Sequence, residues 1–320
     1  MNSSTPTSTS SSEQAQETKP QNSTFPELID NTAVSGYVKC PQYFFRSTIQ
    51  GYRLKQANIH LTAGGALATA LEKARRLYYE EKVSALEAEA AGSKALVEAY
   101  GTDEMEPAKT GDKSLDGVDR AFESYMLEYP LTEEKLKPIM LPNGKAAIEF
   151  SFAQAIPGML HPETGNPLLY GGRFDWITEY SDTLFVADEK TTSSLGDQWR
   201  RQWDLDSQFT GYCWGAQSFG YPVAGAIIRG VGLLKTKITH AEVIIYRPRW
   251  VIDRWMMNLQ YTVEDMIRDW KRNYYRYAID KSSCASYGEC AFKQVCESQN
   301  PTPWLNTHYE VKRWNPLERS

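Results

Sequence analysis

Two carboxylates and a lysine stand close together in the middle of the sequence. Asp175 ends the run Gly171-Gly172-Arg173-Phe174-Asp175, and Asp188 and Lys190 open the run Asp188-Glu189-Lys190-Thr191-Thr192. Two carboxylates hold a hard divalent cation such as Mg²⁺ through oxygen. A cation so held polarises a phosphoryl oxygen and lowers the pKa of a bound water. A lysine beside it positions that water, helps to deprotonate it and stabilises developing negative charge. An isolated Asp-x-Lys is more often a surface ion pair on an exposed edge. Here the apolar Val186-Ala187 comes first, so the strand is expected to be buried and its charges to emerge from a core, where unpaired charge is costly. Gly171 and Gly172 permit close approach of backbone or ligand.

For these residues to meet, two strands must be joined by a tight turn. Arg173 to Glu179 and Thr183 to Glu189 are runs of β-branched and aromatic residues, separated by the polar Tyr180, Ser181 and Asp182. That is a β-hairpin signature. Asp188 and Lys190, two apart on the second strand, share a face. Glu189 points to the other face, and its side chain is expected to be a bystander. A strand is predicted from Ala147 to Ala153. A helix follows the hairpin, from about Asp197 to Phe219, then strands from Val223 to Leu233 and from Ala241 to Arg247. An amphipathic helix is predicted from about Val263 to Ala278. Upstream, a helical stretch runs from about Gly64 to Val97, with Leu67, Leu71 and Ala74 spaced for one buried face. After a loop from Gly101 to Ser114, a second helix runs from about Gly117 to Tyr129, and Pro130 ends it.

The chain has 320 residues, 41% of them hydrophobic, enough for a sizeable core. Its net charge of -5 argues against a histone-like positive coat. It leaves nucleic-acid binding open, because a local groove and bound cations decide that. Met1 to about Thr24 is rich in Ser, Thr, Gln and Pro, and is expected to be a disordered tail. No run of 18 apolar residues predicts a membrane span, and the polar N-terminus is unlike a secretory signal. A cytoplasmic setting, in a bacterium or a phage-infected host, is therefore expected. P-loop, dinucleotide and His-Glu-x-x-His motifs are missing, so any helicase activity would have to come from a partner.

Gly-x-x-Asp, a hairpin, Asp-x-Lys-Thr and then a helix carrying Gln-x-x-x-Tyr resemble the RecB-type branch of the PD-(D/E)XK nucleases. The last element is Gln208 and Tyr212, one helical turn apart on one face. The resemblance covers about Ala33 to Glu297. It implies an α/β fold, a central mixed β-sheet flanked by helices. It implies that Asp175 and Asp188 bind Mg²⁺ or Mn²⁺, that Lys190 is the catalytic lysine, and that Gln208 and Tyr212 line the site near the nucleic acid. Glu149, on the preceding strand, resembles the family's additional acidic residue; a carboxylate facing water at a strand edge is the other reading. The family's helical Gly-x-x-x-His-x-x-Leu-Glu motif matches Gly64 to Glu72, with Ala68 at the histidine position and His60 off register.

Cys284, Cys290 and Cys296 form C-x5-C-x5-C, and Cys40 lies far upstream. This layout resembles the iron-sulfur staple of AddB-type and CRISPR-associated RecB-like nucleases. The resemblance implies a [4Fe-4S] cluster on four thiolates that ties the two chain ends together. A four-cysteine Zn²⁺ site and a set of small buried hydrophobes are the other readings. Cys213 is expected to be packing.

Arg200 and Arg201 lie between Trp199 and Trp203. Lys271, Arg272 and Arg276 mingle with Trp270, Tyr274, Tyr275 and Tyr277. Such mixtures contact phosphates and stack on bases, although an amphipathic helix with a solvated basic face shows the same pattern. The Arg200-Arg201 pair is the stronger candidate for DNA contact. The organisation expected is a tail over 1–24 and one nuclease-type domain over 25–320. Within that domain, a helical part spans about 25–130, a catalytic core about 146–247, and a C-terminal helix with the cysteine segment about 252–297. The expected activity is metal-dependent cleavage of duplex or single-stranded DNA from an end, in phage-type recombination or repair, alongside a single-strand annealing protein or a helicase. The alternative from another class is a catalytically weak or inactive DNA-binding or assembly module on the same fold.

Overall fold

A computed structural model describes residues 24–102, 105, 107–280, 282–285 and 289–317. Apart from Thr24, the tail expected over residues 1–24 lies outside the described residues. The chain enters through β1 (Leu28–Ile29), α1 (Asn31–Lys39), α2 (Pro41–Phe44), a π-helical turn (Phe45–Ile49) and β2 (Tyr52–Leu54). Helices α3 (Ile59–Tyr79), α4 (Ala85–Tyr100) and α5 (Leu115–Glu128) follow. Next come β3 (Ile148–Leu160), β4 (Pro167–Tyr180), β5 (Thr183–Thr192), α6 (Asp197–Arg201), α7 (Ser207–Ser218), β6 (Gly225–Leu233) and β7 (Ile238–Tyr246). The long α8 (Arg249–Arg272), the short α9 (Ser282–Ala285), α10 (Lys293–Glu297) and α11 (Thr302–His308), and β8 (Tyr309–Val311) complete it.

The main sheet is mixed, in the order β1-β4-β5-β6-β7, with β3 also paired to β4. β4 and β5 form the expected hairpin around a two-residue turn. Ser181 and Asp182 both have positive φ, at 50° and 59°, which matches the right-handed twist of the flanking strands. β5 and β6 run parallel, and the α6–α7 segment makes the crossover. One face of the sheet packs on α7, α8 and α1 through Phe152, Phe174, Val186 and Ile228. The other meets α3 and α5 through Val231 and Leu233. Leu67, Leu71 and Ala74 are buried there, as their spacing predicts.

Three helix boundaries differ from the sequence reading. The stretch 64–97 is two helices, parted at Lys82 in the left-handed region and restarted by a capping box between Ser84 and Glu87. Such a cap is worth about 1 kcal/mol. The stretch 197–219 is likewise two helices, and Asp206 caps α7 by accepting the Phe209 N–H at 3.1 Å. The helix predicted from about Val263, α8, begins at Arg249 and ends at Asn273 in the left-handed conformation. Its buried Val251, Trp255, Leu259, Val263, Met266 and Trp270 keep a three-to-four-residue spacing throughout.

Chain ends meet through the protein itself. β2 pairs antiparallel with β8. Phe292 stacks on Tyr309, with Tyr43 edge-on to it. Among the described residues, no helix is long and apolar enough to cross a membrane.

Candidate active site

The β4–β5 ladder runs from Tyr180 opposite Thr183 to Trp176 opposite Ala187. The next residues in line are Asp175 and Asp188. Further along, β4 pairs with β1 at Leu169 and Tyr170 instead. Asp175 therefore sits where β5 peels away from β4, and this gap opens the site.

Glu149 shares a rung with Asp175, between the pairs Ile148–Trp176 and Phe150–Phe174. Ile148 and Trp176 pack in one core cluster, whereas Phe150 and Phe174 pack in the cluster beneath α7. Side chains of both strands thus change faces at this rung. Glu149 carries the backbone mark of the change, a φ of 50°. A non-glycine residue there costs on the order of 1 kcal/mol. Its carboxylate pairs with Arg173 at 2.6 Å, and its charge reaches Asp175. The Glu149 side chain is 10% exposed in that ion pair.

Asp188 is 3% exposed. Its Oδ1 meets Lys190 Nζ at 2.5 Å. Burial pushes the Asp175 carboxyl well above the ordinary carboxylate range, and the negative charges of Asp188, Glu189 and Glu149 add to this. Asp188 is also raised by burial, with Lys190 opposing. Burial alone would lower the proton affinity of Lys190. The Asp188 and Asp175 charges outweigh it and hold the ammonium form. A hard cation would relieve the repulsion between the two acids, so the donor set fits Mg²⁺ or Mn²⁺. Among the described residues, no three His, Cys, Asp or Glu side chains stand close enough to hold an ion as they are.

α7 supplies the wall. Gln208 Nε2 donates to the Tyr212 hydroxyl at 2.8 Å. Tyr212 is 7% exposed. Burial raises its phenol, and the charges of Asp188 and Asp175 raise it further. The α7 glycines bring it so close: a Cβ on Gly215 would run into the Phe152 ring, and one on Gly211 into Tyr170. Gly172 serves the same packing, because a Cβ there would stand 3.1 Å from Tyr212 Cε1. The close approach expected at that glycine is made by a protein ring.

Sequence reading missed two participants. Asp206, the α7 cap, lies within electrostatic reach of Asp188 and Lys190; its only signal was the Asp206-Ser207-Gln208-Phe209 capping pattern. Glu189, on the other face as expected, is held at both its peptide and its side chain. Its peptide N–H donates to Asp175 Oδ2 at 2.7 Å, and its side chain is 4% exposed in an ion pair with Arg75. Arg75 lies far from it in sequence. His60 lies in the first turn of α3, where the charge it feels is that of Lys113. Arg200 and Arg201 end α6 and are exposed.

Cys40 stands between α1 and α2, Cys284 in α9 and Cys296 in α10. The Cys290 N–H donates to the Cys284 carbonyl at 2.9 Å. Burial raises the Cys290 thiol, and the charges of Cys284 and Cys40 add to it. Burial likewise pushes Cys296 up to about 11, with Cys290 and Cys40 adding and Arg46 opposing. Among the described residues, the cysteines do not come together as a group that could hold an ion. Cys213 is fully buried on α7, and burial pushes its thiol up to about 12; it is packing.

The mixed sheet flanked by helices is an α/β architecture. The chain matches the family model described as the PD-(D/E)XK nuclease superfamily over residues 31–297, and it belongs to that superfamily. No curated protein matches it. Among solved structures it is similar to a candidate exonuclease from Eubacterium rectale, at 13% identity and a TM-score of 0.48, covering 81% of this chain and 88% of that one. It is also similar to SSO0001, at 14% identity and a TM-score of 0.28, covering 63% and 74%. Likenesses at these levels carry no argument about activity.

Proposed function

We propose that this protein is a Mg²⁺- or Mn²⁺-dependent deoxyribonuclease that hydrolyses phosphodiester bonds from a DNA end, in phage-type recombination or repair. The observation that carries the reading is the Asp188–Lys190 ion pair on β5, next in line to Asp175 where β5 leaves β4, with Glu149 on the β3 rung of Asp175. Asp175 and Asp188 would hold the cation, with Glu149 at its edge. When bound, the cation supplies charge neutralisation at the phosphoryl group and a lowered pKa for water. Lys190 orients the attacking water and faces the charge that develops on phosphate oxygens. Gln208 and Tyr212 form one hydrogen-bonded wall against the strand being cut. Arg200 and Arg201, exposed at the end of α6, meet phosphates nearby. A single-strand annealing protein or a helicase is the partner such an activity would serve.

The four cysteines are proposed to hold a [4Fe-4S] cluster, reinforcing a junction that β2 and β8 already close. The charges of Cys40 and Cys284 felt at Cys290, and of Cys40 and Cys290 felt at Cys296, support this, and stoichiometric zinc in a colourless protein would assign the site to Zn²⁺ instead.

Digestion of end-labelled duplex, single-stranded and circular DNA with Mg²⁺, Mn²⁺ or EDTA tests the activity. Cleavage of linear DNA that EDTA abolishes is expected. Lys190→Ala should lower it about 10²- to 10⁴-fold while the fold is kept. A Lys190→Ala protein as active as the wild type would overturn the reading.

A further inference from the structure

The face of β5 turned away from the carboxylates holds a second, buried set of charges. Glu189 pairs with Arg75 of α3 and accepts the Tyr125 hydroxyl of α5 at 2.7 Å. Arg75 also donates to Tyr125 Oη at 2.9 Å and lies over the Trp176 ring, 3.8 Å from its centroid. Arg229, beside Glu189 in the β5–β6 register, donates to the same hydroxyl at 3.0 Å. It also grips Glu134 with two bonds of 2.7 and 2.8 Å. Tyr125 Oη thus accepts two guanidinium bonds and donates one to Glu189.

Burying such a set is not a cheap way to stabilise a sheet. Each ion loses several kcal/mol of solvation, and apolar packing is often as good. What the network does hold is the position of residue 189, whose peptide N–H grips Asp175 Oδ2. One oxygen of Asp175 is thereby committed, and the Glu189 carboxylate lies within reach of the same carboxyl group. We infer that Arg75, Glu189 and Tyr125 are positioning residues for Asp175, acting through the Glu189 peptide from the opposite face of the sheet. The inference rests on the nuclease reading above and names what orients its first metal-holding acid.

The experiment uses the full chain and Mn²⁺ alone as the probe. Mn²⁺ binding is followed by calorimetry without DNA, and kcat, KM and half-saturating Mn²⁺ are measured on linear duplex DNA. Tyr125→Phe keeps the ring and removes the shared hydroxyl. Val118→Ala opens a cavity in the same helix, at a site fully buried and outside the network. Both are assayed below their melting temperatures, and Glu189→Gln is added if it folds. Tyr125→Phe should weaken Mn²⁺ binding about 10-fold, the size usual for groups that orient a metal ligand. It should lower kcat and leave KM for DNA within about twofold. Val118→Ala should bind Mn²⁺ like the wild type. Wild-type Mn²⁺ affinity in Tyr125→Phe, or an equal loss in Val118→Ala, would overturn the inference while the wild-type enzyme still cleaves. A wild-type protein that neither binds Mn²⁺ nor cleaves would instead sink the nuclease reading, and the inference with it.

Discussion

Asp175 and Glu149 occupy one rung of the β3–β4 ladder, and at that rung the side chains of both strands change faces. The change turns Asp175 toward Asp188 and Tyr212, in the gap that β5 leaves. It also crowds negative charge into a place from which water is largely excluded. A fold that holds such a row without a cation is working against its own electrostatics.

Asp175→Asn should therefore stabilise the metal-free protein and abolish cleavage. The amide oxygen still accepts the Glu189 N–H, and the charge is gone. The proton affinity of Asp175 is higher in the folded chain than in the unfolded one, so protonation favours folding. This contribution is full below about pH 4 and is lost as pH rises through the raised folded-state value. The advantage of the variant should vanish toward pH 4 and grow above it. Thermal melts in EDTA read this directly, at roughly 2–4 °C per kcal/mol for a chain this size. Adding Mn²⁺ should raise the wild-type melting temperature and leave the variant's unchanged.

Gly172→Val should loosen the wall of the site. The added branch meets the Tyr212 and Phe152 rings, so α7 must shift. Overpacking of this kind costs about 1–3 kcal/mol. Cleavage should fall more than stability does, because Gln208 moves with Tyr212. Urea unfolding alongside the nuclease assay separates the two effects.

Cys290→Ser tests the cysteine neighbourhood. Anaerobically purified wild-type protein should be brown, with iron and acid-labile sulfide, and the variant should lose the colour. The β2–β8 pair and the Phe292–Tyr309 stack remain, so the nuclease core should stay folded and only the end junction should become protease-sensitive. A colourless wild type containing zinc would favour the other ligand.

Arg200→Glu with Arg201→Glu should weaken binding to linear DNA in EDTA without touching the carboxylates. Both residues are exposed, so stability should change by no more than about 0.5 kcal/mol each. The slope of log affinity against log salt should become shallower by about 1 per lost phosphate contact. Unchanged binding and slope would remove the pair from the interface.

Much of the site was legible because its grammar is local. Residues two apart on a strand share a face, and Ser181-Asp182 between two β-branched runs makes a hairpin, so the nearness of Asp175 to Asp188 and Lys190 follows from spacing alone. The family resemblance added Gln208 and Tyr212. Some misses were local signals left unread. Ser84-x-x-Glu87 and Asp206 mark helix starts, and the apolar spacing of α8 reaches back to Val251. Other features have no local signal. That β4 exchanges β5 for β1 just beyond Asp175 depends on where Leu28 comes to lie, some 140 residues earlier in the chain. That Glu189 is anchored depends on Arg75 and Tyr125, carried there by two other helices. Sequence by itself determined which side chains could do the chemistry and which strand faces they share, because those follow from backbone periodicity. Tertiary structure decided how the acids are aimed and what holds them there, because burial and charge pairing belong to contacts between distant segments.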